Sequence, residues 1–323
     1  MSTFSIRSFA DIIEEALQNI SFPAKDAPAL FAPVKYTLES GGKRIRPILV
    51  LATFEALSGK NPAEAVPQAL GIELFHNFTL LHDDVMDHAE LRRGRPTVHK
   101  RWNTNVAILS GDAMLTLANM YMTDCDSTRL PQIMRCFNET AIKVYEGQQL
   151  DMEFETRSDV SVSQYIKMIE LKTSVLLAGA CMIGAIMANA SQKQAEAMYD
   201  YGLNLGLAFQ LRDDWLDTYG DPAIFGKCIG GDILNRKKTW LLTTAISEAR
   251  DETLSIISED LEDDILIEQV TDLYNRLDIP ARCLRQIDNY SAAAVKALEK
   301  VEMNPEAMEF FKNLALEASS RSR

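Results

Sequence analysis

Between Pro131 and Pro222 the chain contains no proline. Proline ends or kinks a helix, because it lacks an amide donor and its ring clashes with the preceding turn. A stretch this long without one therefore permits long helices. Its composition is helix-forming: Leu, Ala, Glu, Met, Lys and Gln dominate, and "QYIKMIELKTSVLLAGACMIGAIMA" keeps apolar residues at helical spacing. No convincing run of period-two alternation exists elsewhere, so strand content is expected near zero. Pro and Gly signal breaks at 22–33, 58–67, 92–97 and 219–232. The expected fold is all-α, a helical bundle without short-period repeats.

The chain has 323 residues and 47% hydrophobic content, and no Gly, Pro or Ser linker divides it. A single domain over 1–323 is expected. A net charge of -13 argues against a nucleic-acid or anionic-membrane surface, which needs a basic excess. Any anion binding must be local. Five cysteines, without a C-x-x-C pair, suggest neither a disulfide framework nor a zinc knuckle and fit a reducing cytoplasm. The N-terminus carries Arg7, Asp11, Glu14 and Glu15 where a signal peptide is apolar. The longest apolar run, Val175 to Ala188, is too short to span a bilayer and reads as a buried helix, so no transmembrane segment is expected.

Against this background, "LLHDDVMD" (80–87) and "FQLRDDWLD" (209–217) share the pattern D-D-x-x-D. On a helix Asp83 and Asp87 lie one turn apart on one face, as do Asp213 and Asp217. Each pair interrupts an apolar stretch, so the carboxylates are expected to project from buried helices into a shared cavity. Like charges about 4 Å apart repel by about 4 kcal/mol even at an effective dielectric near 20. A cation must compensate. All-oxygen ligands suit a hard ion, and magnesium, which shares its shell with water and substrate phosphates, suits them best.

Phosphate is then the expected partner, and basic residues border both clusters. Arg92, Arg93 and Arg95 follow the first; Lys227, Arg236, Lys237 and Lys238 follow the second; "GGKRIRP" (41–47) adds Lys43, Arg44 and Arg46. Guanidinium forks grip phosphate bidentately and ammonium groups act as point charges. One such run alone reads as a solvated face; beside two carboxylate clusters it reads as a phosphate site.

Together, "GGKRIRP", "LLHDDVMDHAELRRGRPT" (80–97), "KT" (172–173), "FQLRDDWLD" and "GKCIGGDILNRKKTW" (226–240) resemble, in order, the motifs of the trans-isoprenyl diphosphate synthases of the polyprenyl synthetase family. The resemblance implies a bundle around a deep central cavity, with the aspartate motifs facing across its mouth, and a homodimer. It implies that Asp83, Asp87 and Asp213 hold magnesium, three ions per site, with Asp84, Asp214 and Asp217 supporting. Arg92, Lys172, Thr173, Gln210, Lys227 and Lys237 would contact the allylic diphosphate. Lys43, Arg46, His76 and Arg93 would hold isopentenyl diphosphate; His76 lies two turns before Asp83 on the same helical face.

The reaction implied is ionisation of the allylic C–O bond and attack of the isopentenyl alkene on the carbocation, with the released diphosphate taking the final proton. The catalysis is electrostatic. Phe78 and Thr79, five and four residues before the first aspartate, resemble the chain-length positions of short-chain synthases; a C20 product is expected, with C15 next.

Four alternatives are weaker. A di-iron bundle needs a second E-x-x-H beside Glu73-x-x-His76, and Thr79, Val85 and Pro96 precede the other histidines at that spacing. Zinc lacks an i, i+4 histidine pair. A class I terpene cyclase is not expected to carry "GGKRIRP" or a full second D-D-x-x-D. A non-catalytic partner subunit of a heteromeric synthase usually shows a degraded motif, and both motifs here are complete.

Overall fold

The computed structural model describes residues 4–22, 26–221 and 229–320, with residues 319 and 320 described by backbone only. The described residues are almost wholly helical. In chain order the helices are α1 (Ile6–Gln18), α2 (Ala32–Leu38), α3 (Ile45–Ser58), α4 (Val66–Met86), α5 (Val98–Arg101), α6 (Thr104–Met122), α7 (Leu130–Glu155), α8 (Val162–Ile169), α9 (Val175–Met187) and α10 (Gln192–Tyr219). They continue with α11 (Gly231–Leu234), α12 (Trp240–Glu248), α13 (Arg250–Ser258), α14 (Asp263–Arg276), α15 (Ile279–Ala297) and α16 (Pro305–Ser320). The proline-free stretch holds α10 and all of α7 after its second residue, Pro131; these are the two longest of those helices. Strand among the described residues is confined to a hairpin, β1 (Leu91–Arg92) paired antiparallel with β2 (Arg95–Pro96). Its turn residues Arg93 and Gly94 have φ 53° and 73°, the left-handed pair that matches strand twist in a two-residue connection.

The chain divides into two compact units, one drawn from residues 1–138, 179–196 and 302–307, the other from 139–178, 197–301 and 308–323. In the first, α3 and α4 are core helices. Ile48, Leu49, Val50 and Leu51 are fully buried in sequence, as are Ile72, Leu74 and Phe75. Such helices show no polar stripe because they are covered on several sides. Phe75 meets Phe137 edge-on, ring centroids 5.3 Å apart.

In the second unit, Ser161 and Gln164 form a reciprocal capping box that starts α8, Gln164 N donating to Ser161 Oγ (3.2 Å) and Ser161 N to Gln164 Oε1 (3.0 Å). Between α8 and α9 the helix widens into a π turn over Glu170–Ser174. The helical run thus extends from Val162 to Met187, 26 residues, where the apolar pattern alone marks only its second half. It is long and apolar enough to cross a membrane, but 72% of its most apolar window is buried inside the protein. That is the pattern of a core helix.

Candidate active site

In the first unit, α4 carries His76, Asp83 and Asp84, and Asp87 is its C-cap, its amide donating to Asp83 O at 2.8 Å. Asp87 is exposed and the Asp83 side chain 16% exposed, whereas Asp84 is buried. Arg92, delivered by β1, donates from Nε to Asp84 Oδ1 at 2.6 Å and lies 3.6 Å from Asp83 Oδ2. Burial raises the Asp84 carboxyl above its ordinary value and Arg92 opposes the shift. Asp84 is therefore an anchor for Arg92, while Asp83 is partly exposed and Asp87 exposed. Asp84, Arg92, Arg93, Asn77, Tyr36 and Ser40 line one small cleft.

The four residues expected at the isopentenyl site converge in this unit. Arg46 Nη1 lies 3.1 Å from His76 Nε2, and Arg93 donates from Nη1 to Gly41 O. Gly42 has φ 139°, and a Cβ there would stand 2.9 Å from the Arg93 guanidinium nitrogens. Only glycine allows that approach. Lys43 is exposed in the same loop. Burial first, then Arg46, Arg93, Arg92 and Arg44, hold the His76 imidazole well below its usual value. The ring is neutral beside a dense patch of guanidinium charge. Glu73, the other half of the E-x-x-H, is taken by an ion pair with Arg44 at 2.7 Å, which removes it as a metal ligand.

In the second unit, α10 carries Gln210, Asp213, Asp214 and Asp217. Asp213 is exposed and Asp217 half-buried. Asp214 is buried and accepts from three donors: Tyr165 Oη and Trp240 N at Oδ2, the latter 3.2 Å away, and Gln210 Nε2 at Oδ1, 3.3 Å away. Trp240 N opens α12, where Thr239 caps the helix through Leu242 N at 3.2 Å and leaves the first amide to serve Asp214. Burial, and then Asp232, push the Asp214 carboxyl up to about 7 against these donors. Asp214 is thus the internal tie of the second motif, as Asp84 is of the first. Asp217 Oδ2 accepts the amide of Asp232 at 2.8 Å, and Gly230 N donates to Asp217 O at 2.7 Å, so the GGD triplet 230–232 wraps the end of the motif.

Lys172 and Thr173 sit in the π turn. Thr173 Oγ1 donates to Gln210 Oε1 at 3.1 Å, and Lys172 Nζ pairs with Asp151 of α7. Gly147, one turn earlier on α7, makes room for this turn, since a Cβ there would fall 2.2 Å from Lys172 N. Lys237 is exposed, 3.8 Å from Asp232 Oδ1. Lys227 lies outside the described residues. Within the units, then, the structure groups Lys43, Arg46, His76 and Arg93; Arg92 with Asp83 and Asp84; and Lys172, Thr173 and Gln210 with the second motif. Sequence reasoning missed Tyr165, Asp151 and Asp232. GGD was a visible clue to Asp232; Tyr165 and Asp151 have no local signal.

The accessible carboxylates fit a hard divalent cation. Asp83 and Asp87 stand at the C-terminal end of α4, where the helix dipole disfavours negative charge, and each motif offers oxygen donors only. Among the described residues no three His, Cys, Asp or Glu side chains form a ready-made cluster. An ion at either motif would complete its shell from water and substrate phosphate.

Residues 27–276 match the family model described as polyprenyl synthetase. The chain belongs to the polyprenyl synthetase family. It is accordingly a trans-prenyltransferase, of the short-chain group by its relatives. The geranylgeranyl diphosphate synthase of Methanosarcina mazei is 37% identical over 245 residues, 75% of each chain. The (2E,6E)-farnesyl diphosphate synthase of Mycobacterium tuberculosis is 44% identical over 206 residues, 64% of this chain and 57% of its own. A crystal structure of a geranylgeranyl pyrophosphate synthase matches 100% of both chains with TM-score 0.94 and 41% identity. That of the synthase from Corynebacterium glutamicum, complexed with isoprenyl diphosphate and magnesium, covers 98% of this chain and 96% of its own, with TM-score 0.82 and 27% identity. This polyprenyl synthetase shares their all-α fold.

Proposed function

We propose that this polyprenyl synthetase condenses isopentenyl diphosphate with an allylic diphosphate to give a trans-prenyl diphosphate of C20 or C15 length. The observation that carries the reading is the clustering of Lys43 in the loop before α3, Arg46 on α3, His76 on α4 and Arg93 in the hairpin turn, with His76 two turns before Asp83 on α4. A basic patch beside paired carboxylates suits a phosphate shared between guanidinium groups and metal.

In this reading Arg46 and Arg93 grip the isopentenyl diphosphate, and neutral His76 adds a ring contact without adding charge. Lys172, Thr173 and Gln210 orient the allylic diphosphate at the second motif, with Arg92, Lys227 and Lys237 completing its basic surround. Asp83, Asp87 and Asp213 would hold magnesium, with Asp217 in support; when bound, magnesium offsets the charge that grows on the departing diphosphate. The basic side chains act in the same direction, stabilising the leaving group more strongly as its bond breaks, which is what lowers the barrier. No side chain is needed as a nucleophile, and the released diphosphate serves as the base.

The exposed apolar residues Ile108, Leu109 and Met120 on α6 support a homodimer, since solvated helices seldom present such residues together; sedimentation of the purified protein tests it. A cytoplasmic enzyme is the accompanying expectation. The deciding assay uses the purified protein alone, with magnesium, labelled isopentenyl diphosphate and several allylic starters, and measures product length. Absence of prenyl product from the homomer would refute the reading.

A further inference from the structure

Arg44 is the basic residue of the 41–47 motif that turns inward. Its side chain is 2% exposed, whereas Lys43 is exposed and Arg46 half-buried. Nε donates to Glu14 Oε1 of α1 at 2.8 Å, Nη1 to Glu73 Oε1 of α4 at 2.7 Å, and Nη2 to Leu38 O at the end of α2 at 2.7 Å. Asn77 Nδ2 adds a bond to Glu73 Oε1 at 2.9 Å. A guanidinium committed in this way has no fork left for substrate.

Two features make this an unusual way to hold a loop. Arg44 has φ 50°, a left-handed conformation that disfavours any side chain with a Cβ. A buried ion pair is also a poor source of stability, because desolvating both charges offsets their attraction. What the arrangement does supply is geometry. Glu73 lies one helical turn before His76, and Arg44 two residues before Arg46, so the ion pair joins the loop to the helix next to the Arg46–His76 contact. It acts electrostatically too: burial disfavours the charged form of Arg93, Glu73 counters that, and Arg44 adds to it.

We propose that Arg44 is a positioning residue, whose buried pairs with Glu73 and Glu14 set the spacing of Lys43, Arg46, His76 and Arg93 and thereby the affinity for isopentenyl diphosphate. The inference rests on the proposed function, which assigns that substrate to this cluster. It adds α1, through Glu14, to the elements that govern the site.

The test compares Arg44→Gln, Arg44→Lys, Glu14→Gln and the paired replacement Arg44→Met with Glu73→Leu, which removes both buried charges together so that neither is left buried without the other. KM is measured for each substrate, with equilibrium binding of isopentenyl diphosphate and thermal denaturation alongside. A misplaced site is expected to raise the isopentenyl KM about tenfold to a hundredfold in Arg44→Gln and in the paired variant, with the allylic KM unchanged. Arg44→Lys should recover part of the loss, and Glu14→Gln should show a smaller rise of the same kind. If Arg44→Gln does not fold, the paired variant and Glu14→Gln carry the comparison. Folded variants that bind isopentenyl diphosphate as tightly as wild type overturn the role of Arg44 alone, as does an equal rise in both KM values. A wild-type protein that binds no isopentenyl diphosphate overturns the functional reading itself.

Discussion

Arg46 Nη1 stands 3.1 Å from His76 Nε2. Arginine has no acceptor, so the histidine nitrogen must accept and the ring is neutral at that position. Burial, and then four arginines, hold it in that state. The sign of the pH effect follows. The unfolded chain takes up a proton at His76 near the ordinary value of 6.5, while the folded protein does so only at lower pH. Below 6.5 the unfolded state binds more protons, so stability falls as pH falls. His76→Gln is expected to flatten this acid-side slope, read from denaturant midpoints between about pH 7.5 and 5.5 around the usual histidine value. Superimposable slopes for the two proteins would show that His76 is not the group concerned.

The outer and inner aspartates of the motifs should respond differently to removal. Asp83 and Asp213 are at least partly open to solvent, and Asp84 is buried against Arg92. Asp83→Ala and Asp213→Ala should lower turnover by about a hundredfold or more through lost charge stabilisation, with the helical circular dichroism intact. Asp84→Ala should lose stability as well, since it strands Arg92. Chelation of divalent ions should silence the wild-type enzyme reversibly. Activity retained in both Asp83→Ala and Asp213→Ala would sink the metal assignment.

Tyr165 and Asp214 are expected to be energetically coupled. Tyr165→Phe removes a donor from a buried carboxyl, a loss of about 1 to 3 kcal/mol. Asp214→Asn alters the same contact from the other side, so the double variant should cost less than the sum, with a coupling of about 0.5 to 3 kcal/mol. Additive single effects in urea denaturation would mean that the contact contributes nothing specific.

Gly147→Ala tests whether the π turn is held by close packing. The added methyl would meet the backbone of Leu171 and Lys172, which cannot swing aside as a side chain can. Overpacking of this kind costs about 1 to 3 kcal/mol. Because Lys172 and Thr173 ride on the displaced turn, the allylic KM should rise more than the isopentenyl KM. A variant with wild-type stability and kinetics would place the turn's support elsewhere.

What could be read from the sequence divides by range. The helices were legible because proline is absent and apolar residues recur at 3.6-residue spacing, and the breaks at Gly59 and Gly94 coincide with left-handed residues at a helix C-cap and a hairpin turn. The aspartate pairs and the basic runs were legible because each is local. The partners that fix them are not local. Tyr165 reaches Asp214 across 49 residues, Arg44 reaches Glu14 across 30, and Lys172 reaches Asp151 across 21. Such contacts depend on tertiary packing, and a lone Tyr or Glu on a helix looks the same with or without a partner. The π turn was invisible for a related reason: the backbone that packs against it, at Gly147, lies more than twenty residues earlier in the chain.

Phe78 bears on product length, and the structure sharpens what its replacement should do. The ring is 6% exposed, held between Phe75, with centroids 5.7 Å apart, and His82, 4.7 Å away in a T-shaped contact. These two rings lie on α4 itself and help to fix the side chain from within its own helix. Thr79 is tied back as well, its hydroxyl donating to His76 O at 2.8 Å. A ring so fixed can act as a rigid floor five residues before the first aspartate, but its loss also opens a cavity. Phe78→Ala is expected to destabilise the protein by about 3 to 5 kcal/mol and to shift products beyond C20. Phe78→Leu separates the effects, since it keeps most of the packing while lowering the floor: a modest lengthening of product with a small loss of stability is expected. Destabilisation in both variants with an unchanged product distribution would reduce Phe78 to a packing residue.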